Sequence, residues 1–445
     1  MKKVITYGSF DLFHFGHQRL LERAKALGDY LIVGVTSDDY DRVRGKINIA
    51  QSLAERIAAV KATGLADMVI VEEYDGQKVD DIKKYNIDVF TIGSDWEGKF
   101  DYLNNYCKVV YLERTKGVSS SEIRSEKRAT KLGLAGNSCS FFKKIIGEGP
   151  FVNGLSIVGI CPEKLQTSEP TTQELKELNL QVYKSYDTML KNVDAVYIKT
   201  NYTSRYDYIK KALKAGKNVL CESPICLDVN KCKELFKLAK ENHCVLMEAI
   251  RTAYSTAYKR LALLAEIGKV GDVLSIEATC TSMQRNDPSR LASLYEWGPN
   301  AILPIFQILG TKYKSKTFIT RQSSKEIKGD AFTKINFVYE HATASATVAE
   351  GAKSEGDLVI AGTKAYIYVP APWWKTEYFE LRYENPAYNR RYFYQLDGEG
   401  IRYELVEFLQ AIQDSKDVPR IDRNTTLAIC QTMQDFKERK DLIEI

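Results

Sequence analysis

The chain has 445 residues, of which 44% are hydrophobic and 27% are charged, and its formal net charge is +5 at pH 7. This length exceeds one ordinary hydrophobic core and predicts a soluble globular protein of two or three domains. So small a net charge on so long a chain excludes any strong electrostatic case for nucleic-acid binding.

Membrane segments and cross-links are not expected either. The start, Met1-Lys2-Lys3, lacks the apolar stretch of a signal peptide, and no run of about 18 apolar residues follows. The nine cysteines are scattered without a Cys-x-x-Cys pair, which favours free thiols and no metal bound by protein side chains. These patterns predict a cytoplasmic protein without membrane insertion.

The first 125 residues alternate between strand and helix patterns. The predicted strands are 3–8, 30–35, 68–71, 88–92 and 108–111, and the predicted helices are 16–27, 51–63, 77–85 and 119–127. This alternation is typical of a parallel sheet that is covered by helices on both faces.

The stretch from Gly8 to His17 joins the first strand to the first helix. Backbone N–H groups and the helix dipole at such a junction favour negative charge. His14 and His17 are spaced so that both project to one side of the helix as donors, and the chain has only 4 histidines. This pattern predicts a phosphate site, although two histidines that merely cap the helix are the alternative.

Three segments in register carry a family resemblance over residues 1–125. They are His14-Phe15-Gly16-His17, the segment Gly93 to Phe100, and the segment Arg114 to Ser121. In order and approximate spacing they resemble the nucleotidyltransferases of the glycerol-3-phosphate cytidylyltransferase type. The resemblance implies a Rossmann-like domain that uses CTP.

The resemblance also implies roles for individual residues. The catalytic set is His14, His17, Lys46 and Arg114. The nucleotide-binding set is Ser9, Phe10, Asp95, Trp96, Thr115, Ser119 and Ser120. The acceptor-binding set is Asp11, Arg44 and Arg56. For two of these segments an ordinary structural role remains an alternative: Lys46 as a solvated loop lysine, and Ser119 with Glu122 as a capping box.

The expected chemistry joins two anions. A phosphate oxygen of the acceptor is mostly ionised near neutral pH, since its second pKa is about 6, so it needs no strong general base to attack CTP. The difficulty is to hold two repelling groups in line and to stabilise the charge of the departing pyrophosphate. Mg²⁺ bound by the CTP phosphates is therefore expected.

A second alternation begins near residue 131. Strands are predicted at 131–135, 155–160, 194–198, 217–221 and 243–247, with helices at 139–146, 172–178, 204–214 and 228–241. This is the pattern of a doubly wound dinucleotide-binding fold. Beyond residue 255 a helix at 256–266, β-rich stretches and two closing helices at 402–413 and 424–437 predict an α+β domain.

Residues 131–445 resemble the glucose–fructose oxidoreductase and inositol dehydrogenase family. The segments that carry this resemblance are Ala212 to Pro224, Val245-Leu246-Met247-Glu248-Ala249, and Gly268 to Asp272. The resemblance implies NADPH or NADH as cofactor, held by Gly136, Asn137, Ser138, Thr200 and Glu222. Neither NAD nor NADP is favoured by Cys161-Pro162-Glu163-Lys164.

The chain departs from this second family at its catalytic positions. The lysine of the family's Glu-Lys-Pro is Ser223, and the usual histidine of the last domain aligns with Asn300. Hydride transfer to a ketone still needs an acid or a cation at the oxygen. Lys199, Arg205 and Tyr254 are the candidates for that role, with Arg251 and Tyr295 as further possibilities.

We therefore predict an α/β protein of three domains, 1–128, 129–250 and 251–445: a cytidylyltransferase domain, a dinucleotide-binding Rossmann domain and an α+β domain with a large sheet, in a homo-oligomer. Two functions fit. In the first, CTP-dependent cytidylyl transfer to a sugar or polyol phosphate is coupled to ketone/alcohol interconversion of the same molecule, for cell-surface polysaccharide precursors. In the second, the oxidoreductase-like region is a non-catalytic binding or dimerisation module. The acceptor and the order of the two steps are open.

Overall fold

The structure, a computed structural model, describes residues 1–43, 49, 51–74, 76–113, 129–152, 154–163, 180–283, 293–322, 329–394, 396–414 and 421–445. These residues divide into two compact units, Met1–Ala129 (unit 1) and Thr130–Ile445 (unit 2). Among the described residues, no helix is long and apolar enough to cross a membrane.

Unit 1 is built on a parallel sheet with the strand order β3-β2-β1-β4-β5. Its strands are β1 Lys3–Gly8, β2 Tyr30–Thr36, β3 Met68–Glu72, β4 Val89–Gly93 and β5 Lys108–Leu112. Its helices are α1 Phe15–Lys25, α2 Asp38–Val43, α3 Leu53–Ala62 and α4 Gln77–Tyr85. The strand order reverses at β1, so the loop after β1 lies at the point where open parallel sheets bind ligands.

Both faces of this sheet are covered, because successive strand residues point to opposite sides. Val4 and Val33 pack into one buried cluster with Leu21 of α1. Ile5 and Phe90 pack into the other cluster, on the far side of the sheet. The predicted doubly covered parallel sheet is confirmed.

Unit 2 begins with a second parallel sheet, in the order β11-β10-β9-β6-β7-β8. Its strands are β6 Thr130–Gly136, β7 Leu155–Pro162, β8 Gln181–Val182, β9 Ala195–Lys199, β10 Asn218–Glu222 and β11 Leu246–Ala249. Its helices are α5 Cys139–Glu148, α6 Tyr186–Leu190, α7 Tyr202–Lys214 and α8 Val229–Glu241. This is the doubly wound order, with its reversal between β6 and β9.

A larger mixed sheet completes unit 2, in the order β19-β18-β17-β16-β12-β15-β14-β13-β20. Its strands are β12 Val273–Ser282, β13 Ser315–Gln322, β14 Asp330–Val338, β15 Thr343–Glu350, β16 Leu358–Gly362, β17 Ala365–Val369, β18 Tyr378–Tyr383, β19 Arg390–Phe393 and β20 Leu442–Glu444. The remaining helices are α9 Arg251–Tyr254, α10 Thr256–Glu266, α11 Ser293–Leu309, α12 Ile401–Asp414 and α13 Arg423–Lys437.

The α/β class and the large C-terminal sheet are confirmed. The predicted strand 243–247 is displaced to Leu246–Ala249, because His243 adopts a left-handed backbone conformation at the end of the preceding turn, with a φ of 52°. The predicted helices 119–127 and 172–178 lie outside the described residues. The division at residue 250 stays a prediction, since 130–445 form one compact unit.

Gly34 in β2 permits a close approach that unit 1 needs. A Cβ atom at Gly34 would lie 2.3 Å from the Tyr7 ring, which is buried against β2. With this space, the Tyr7 hydroxyl donates to Asp81 at 2.9 Å and links β1 to α4.

We expect Gly34→Ala to lower the free energy of unfolding by ~2 kcal/mol, because overpacking forces the Tyr7 ring to move. Gly93→Ala is the matched control. Gly93 is the last residue of β4 in the same sheet, and an added Cβ there would have no neighbouring atom within 4 Å. We expect that control to change stability by less than about 0.5 kcal/mol. Urea unfolding of the full chain measures both, and equal stabilities would contradict the packing argument.

Candidate active sites

His14 is the N-cap of α1. Its Nδ1 accepts the backbone N–H of Gly16 at 3.0 Å, and its carbonyl oxygen accepts the N–H groups of His17 and Gln18. Because Nδ1 is the acceptor, the hydrogen of the neutral imidazole is on Nε2. The cap thus leaves His14 with a donor at Nε2 of a ring fixed at the helix start.

The His17 ring lies parallel to that of His14. Their centroids are 4.0 Å apart with an interplanar angle of 20°. The rings of Phe10 and Phe13 contact His17 at centroid distances of 5.4 and 5.6 Å and restrict its orientation. The structure therefore brings the two predicted catalytic histidines to one side of the helix N-terminus, where the dipole favours an anion.

Phe10 does not present its ring to a nucleotide. The side chain is 1% exposed and belongs to the core, and the residue has a φ of 52°. What Phe10 offers at this edge is its backbone. Its neighbour Ser9 is half-buried in the same loop.

Arg56 is completely buried inside unit 1. The prediction that it contacts an acceptor phosphate therefore does not fit its position. Its guanidinium donates to the carbonyl oxygens of Ser9 (2.6 Å) and Thr36 (2.9 Å), and it pairs with Asp38 and, at 3.6 Å, with Asp41. These bonds join the end of β2, the helix α2 and the loop after β1. In this structure Arg56 is a positioning residue for that loop.

Asp11, also expected at the acceptor, is 1% exposed and accepts the backbone N–H of Gln51 at 3.0 Å. The Gln51 side chain also binds this loop, since its Oε1 accepts the N–H of Leu12 at 2.8 Å. Arg56 Nε donates to the Gln51 carbonyl oxygen at 3.2 Å. Sequence reasoning missed Gln51; its only signal is its place before the capping box of Ser52 and Glu55.

Asp95 and Trp96 follow β4, which is paired with β1, so they lie at the same edge as the histidines. Asp95 is exposed and Trp96 is half-buried. The Lys99 ammonium lies 4.7 Å from the centroid of the Trp96 ring, a cation–π contact that the sequence did not indicate. An aromatic ring and a carboxylate thus lie at the same edge of the sheet as the two histidines.

The other predicted residues of this site are outside the described residues. They are Lys46, Arg44, Arg114, Thr115, Ser119 and Ser120. Within the described ranges, no group of three or more His, Cys, Asp or Glu side chains is arranged to hold a metal ion.

In unit 2 the predicted cofactor loop runs from β6 into α5. Gly136 is paired in register with Lys199 of β9, and a Cβ at Gly136 would lie 3.0 Å from the Lys199 carbonyl oxygen. Asn137 N donates to that oxygen at 3.2 Å, and Ser138 caps α5 by accepting from Phe141. Gly136, Asn137, Ser138 and Thr200 therefore meet at the reversal between β6 and β9.

These residues fit a nicotinamide dinucleotide. The loop approaches β9 closely only because Gly136 lacks a Cβ. Thr200 is 2% exposed, and its hydroxyl is buried without a hydrogen-bond partner in the part of the chain that the structure describes. Glu163, after β7, accepts from Asn201 N at 2.9 Å and from the Ser204 hydroxyl, so it links the end of β7 to the start of α7.

Glu222, at the end of β10, is the centre of a charged cluster. Its Oε1 lies 2.9 Å from Arg251 and 3.8 Å from Lys199. Burial raises the pKa of Glu222, but Lys199, Arg251 and Arg205 outweigh this effect and lower the pKa to about 2. The cluster thus sets two cations beside an ionised carboxylate at the carboxyl edge of the sheet.

Arg205 and Tyr254 face the interior and not the cofactor edge. Arg205 is 5% exposed and donates to the carbonyl oxygens of Glu222 (3.2 Å), Pro224 (2.7 Å) and Thr200 (2.8 Å). The hydroxyl of Tyr254 donates to the carbonyl oxygen of Glu248 at 2.5 Å, and the residue is 1% exposed. Of the three reductase candidates, Lys199 is the one with an exposed head group, at 39%.

The positions that depart from the second family make contacts of their own. Ser223 donates to Glu248 Oε1 at 2.6 Å, and burial raises the pKa of that carboxyl. Asn300 accepts from the Thr252 hydroxyl at 3.1 Å. Neither position carries an ionisable side chain.

Comparisons with known proteins divide the chain in the same way. Residues 5–126 match the family described as cytidylyltransferase-like, and residues 142–250 match the oxidoreductase family with an NAD-binding Rossmann fold. The glycerol-3-phosphate cytidylyltransferase of Bacillus spizizenii is 51% identical over 126 residues, which are 28% of this chain and 97% of that protein. The Staphylococcus aureus enzyme of that name is 44% identical over 126 residues, 28% of this chain and 95% of that protein.

Solved structures resemble unit 2. A 3-ketoreductase from Actinomadura kijaniata in complex with NADP and TDP-benzene covers 71% of this chain and 99% of its own, with a TM-score of 0.62 and 15% identity. The UDP-N-acetylglucosamine 3-dehydrogenase of Acidithiobacillus ferrooxidans covers 71% and 98%, with a TM-score of 0.59 and 15% identity. At this identity the likeness establishes the fold.

Fold and paired histidines together define a nucleotidyltransferase, joined here to a dinucleotide-binding oxidoreductase fold. The chain belongs to the glycerol-3-phosphate cytidylyltransferase family through its first unit, and residues 142–250 match the model of the NAD-binding oxidoreductase family. Both predicted resemblances are confirmed.

We expect Arg56→Lys to destabilise unit 1 by ~3 kcal/mol, the scale of a broken buried ion pair, because one ammonium cannot replace a fork that reaches several acceptors. The loop after β1 then loosens and CTP binds less tightly. Arg19→Lys is the control, since Arg19 is exposed, forms an ion pair with Glu22 at 3.2 Å and lies over the Phe15 ring at 5.0 Å, contacts that a lysine can largely keep. Thermal unfolding and CTP titration of the full chain measure both effects, and a stable Arg56→Lys protein with unchanged CTP affinity would refute the positioning role.

Proposed function

We propose that unit 1 transfers the cytidylyl group of CTP to a sugar or polyol phosphate, releasing pyrophosphate, and that unit 2 interconverts a ketone and an alcohol on the same small molecule with NADPH or NADH. The first activity is supported by the paired imidazoles at the start of α1 and by relatives that the chain matches over almost their whole length. The second is supported by the NAD-binding family match and the Lys199–Glu222–Arg251 cluster.

In unit 1 the acceptor phosphate oxygen attacks the α-phosphorus and pyrophosphate leaves. His14 Nε2 donates to the phosphates as charge develops, and His17, held by Phe10 and Phe13, supplies a second donor. Lys46 and Arg114 are the cations that we assign to the same phosphates. Mg²⁺ carried by CTP supplies further charge neutralisation when it is bound.

In unit 2 the loop Gly136 to Ser138, with Thr200, holds the dinucleotide, which supplies a hydride when bound. The second family has a catalytic lysine at the position of Ser223. In this chain Lys199 supplies the ammonium group instead, because it lies at the end of β9 beside the cofactor loop. It donates the proton that the carbonyl oxygen needs.

The substrate of unit 2 is a nucleotide-linked one in this proposal. The two solved structures similar to unit 2 contain a TDP compound or act on a UDP-linked sugar, according to their descriptions. Cytidylylation then precedes the redox step, and a CDP-linked product serves cell-surface polymer assembly. We also propose that the chain forms a homo-oligomer.

A second candidate function keeps the transferase and makes unit 2 a non-catalytic module. Ser223 and Asn300 favour it, because neither side chain can donate a proton as a lysine or a histidine would.

We expect His17→Ala to slow pyrophosphate release from Mg-CTP and glycerol 3-phosphate by ~10²–10³-fold, because a donor to the transition state is lost. His341→Ala is the control, an exposed histidine of unit 2. A coupled pyrophosphate assay gives the rates. Unchanged turnover of the His17 variant would refute the assigned site.

For unit 2 we expect NADPH fluorescence to change on addition of the full chain. Incubation with Mg-CTP and phosphorylated trioses to heptuloses should yield a CDP-linked product. With NADPH present, this product should be two mass units heavier than the one formed without NADPH, because reduction adds two hydrogens. Mass spectrometry reads both products. Absence of NADPH binding at millimolar concentration would favour the non-catalytic module.

A further inference from the structure

We propose that Glu404 stores the proton that unit 2 gives to its carbonyl substrate, and that Tyr197 and Glu222 conduct this proton outward to Lys199. This inference rests on the reductase function proposed above and deepens it. It identifies the source of acid in a site that has Ser223 and Asn300 at the family's catalytic positions.

The four residues form a continuous chain across three elements of unit 2. Glu404 of α12 lies 2.6 Å from the Tyr197 hydroxyl, through its Oε1. The same hydroxyl lies 3.2 Å from Glu222 Oε1. Glu222 Oε1 in turn is 3.8 Å from Lys199 Nζ, an ion-pair distance.

The contacts of Tyr197 leave room for one proton more than two ionised carboxylates carry. A tyrosine hydroxyl has a single hydrogen, yet Tyr197 has a carboxyl oxygen within hydrogen-bond distance on each side, at 2.6 and 3.2 Å. If Glu222 and Glu404 were both ionised, Tyr197 could donate fully to only one of them. A proton on one carboxyl group supplies the second hydrogen: that group donates to Tyr197, while Tyr197 donates to the other.

The surroundings place that proton on Glu404. Glu222 faces Arg251 of α9 and Lys199 of β9, which favour its ionised form. Glu404 is 0% exposed, and its second oxygen, Oε2, is buried without a hydrogen-bond partner within the described residues. Burying an ionised carboxylate in that state is costly.

The titratable groups that act on Glu404, or that lie next to it on its own helix, come from five elements. They are Tyr197 and Lys199 of β9, Glu222 of β10, Arg251 and Tyr254 of α9, and on α12 itself Glu407, which pairs with Lys259 of α10. Burial raises the pKa of Glu404 from its ordinary 4.5 to about 8, against the opposing effect of Arg251. Glu404 therefore holds its proton at neutral pH and releases it readily just above.

Exposure rises along the chain from the interior to the cofactor edge. Glu404 and Tyr197 are both 0% exposed, Glu222 retains 18% and Lys199 retains 39%. A proton that leaves Lys199 is thus replaced from within, at a time when bound substrate and cofactor cover the outer end.

The step balances in atoms and electrons. Reduction places a hydride from the bound nicotinamide on the carbonyl carbon, the C=O π electrons move to oxygen, and the oxygen takes a proton from Lys199 Nζ. The resulting amine regains a proton through three transfers. Glu404 gives its proton to Tyr197, Tyr197 gives its own hydrogen to Glu222, and Glu222 gives a proton to Lys199. Glu404 ends ionised and is reprotonated from solvent by the reverse route.

The first test needs no substrate and no cofactor. Infrared difference spectra of the full chain across a pH titration should contain the carbonyl stretch of a protonated carboxyl group that disappears near pH 8 and is absent from Glu404→Gln. Glu407→Gln is the matched control on the same helix, and it should keep the band. A titration without a band that depends on Glu404 would overturn the proposal, even if NADPH binds.

Unfolding stability gives an independent readout. Between about pH 4.5 and pH 8 the folded protein holds the Glu404 proton and the unfolded chain does not, so stability falls as pH rises through this window. Glu404→Gln should remove this part of the slope, and Glu407→Gln should keep it. If the pH dependence of unfolding stability is unchanged in Glu404→Gln, the proposal that Glu404 stores a proton is wrong.

The second test links the proton to the cofactor. In weakly buffered solution near pH 8, NADP⁺ should release more protons than NADPH on binding, because its positive ring favours the ionised form of Glu404, whose proton then passes along the chain to solvent. The difference should vanish in Glu404→Gln. In Tyr197→Phe the infrared band should remain but no longer respond to NADP⁺, whereas Tyr186→Phe, a buried tyrosine that donates to the Tyr208 carbonyl oxygen at 3.2 Å, should behave as the unmodified chain.

The outcomes separate this inference from the reductase assignment. Cofactor binding with equal proton release for NADP⁺ and NADPH would overturn the relay and leave the reductase standing. A Glu404 band in a chain that binds neither NADPH nor NADH would overturn both, and would make Glu404 a neutral structural acid.

Discussion

In each unit a buried arginine donates to carbonyl oxygens at the ends of parallel strands, and the geometry of the loops that form both sites depends on these bonds. Arg56 binds the Ser9 and Thr36 carbonyls in unit 1, and Arg205 binds those of Thr200 and Glu222 in unit 2. Carboxyl ends of parallel strands leave carbonyl groups without a sheet partner. A planar guanidinium satisfies several of them at once, so contacts within each unit hold the loops that follow.

The two units use buried charge in opposite ways. In unit 1 the buried charged group is the cation Arg56, which pairs with Asp38 and Asp41. In unit 2 the Glu404 carboxyl is completely buried and burial raises its pKa, while the cations Lys199 and Arg251 are nearer the surface. A transferase that must hold two anions needs fixed positive charge and donors, whereas a reductase needs a proton that can move.

Most of the architecture was predictable, because strand and helix periodicities in both alternating regions are strong and the structure confirms the α/β class. Two of the elements that the sequence did not predict show why. The helix Ser293–Leu309 contains Pro299 and Pro304, which disfavour a helix locally, yet it forms because most of its side chains are buried. The short helix Asp38–Val43 is polar and lacks an apolar period.

The sites were predictable only where chemistry depends on local sequence. His14 and His17 are close together in the chain, and a helix start places them side by side. Arg56, by contrast, reads in sequence as a cation available to a phosphate, and only the fold reveals that Ser9, Thr36 and Asp41 surround it. Glu404 lies 207 residues from Tyr197, so no spacing rule connects them.

The double duty of His14 has an evolutionary consequence. One nitrogen of the ring caps the backbone of α1, and we assign the other to the phosphates. An asparagine would preserve the first duty and a lysine would preserve part of the second, but neither residue performs both. Substitution at position 14 would thus disturb both the start of α1 and the proposed donor, whereas substitution at position 17 would disturb the proposed donor and its contacts with Phe10 and Phe13.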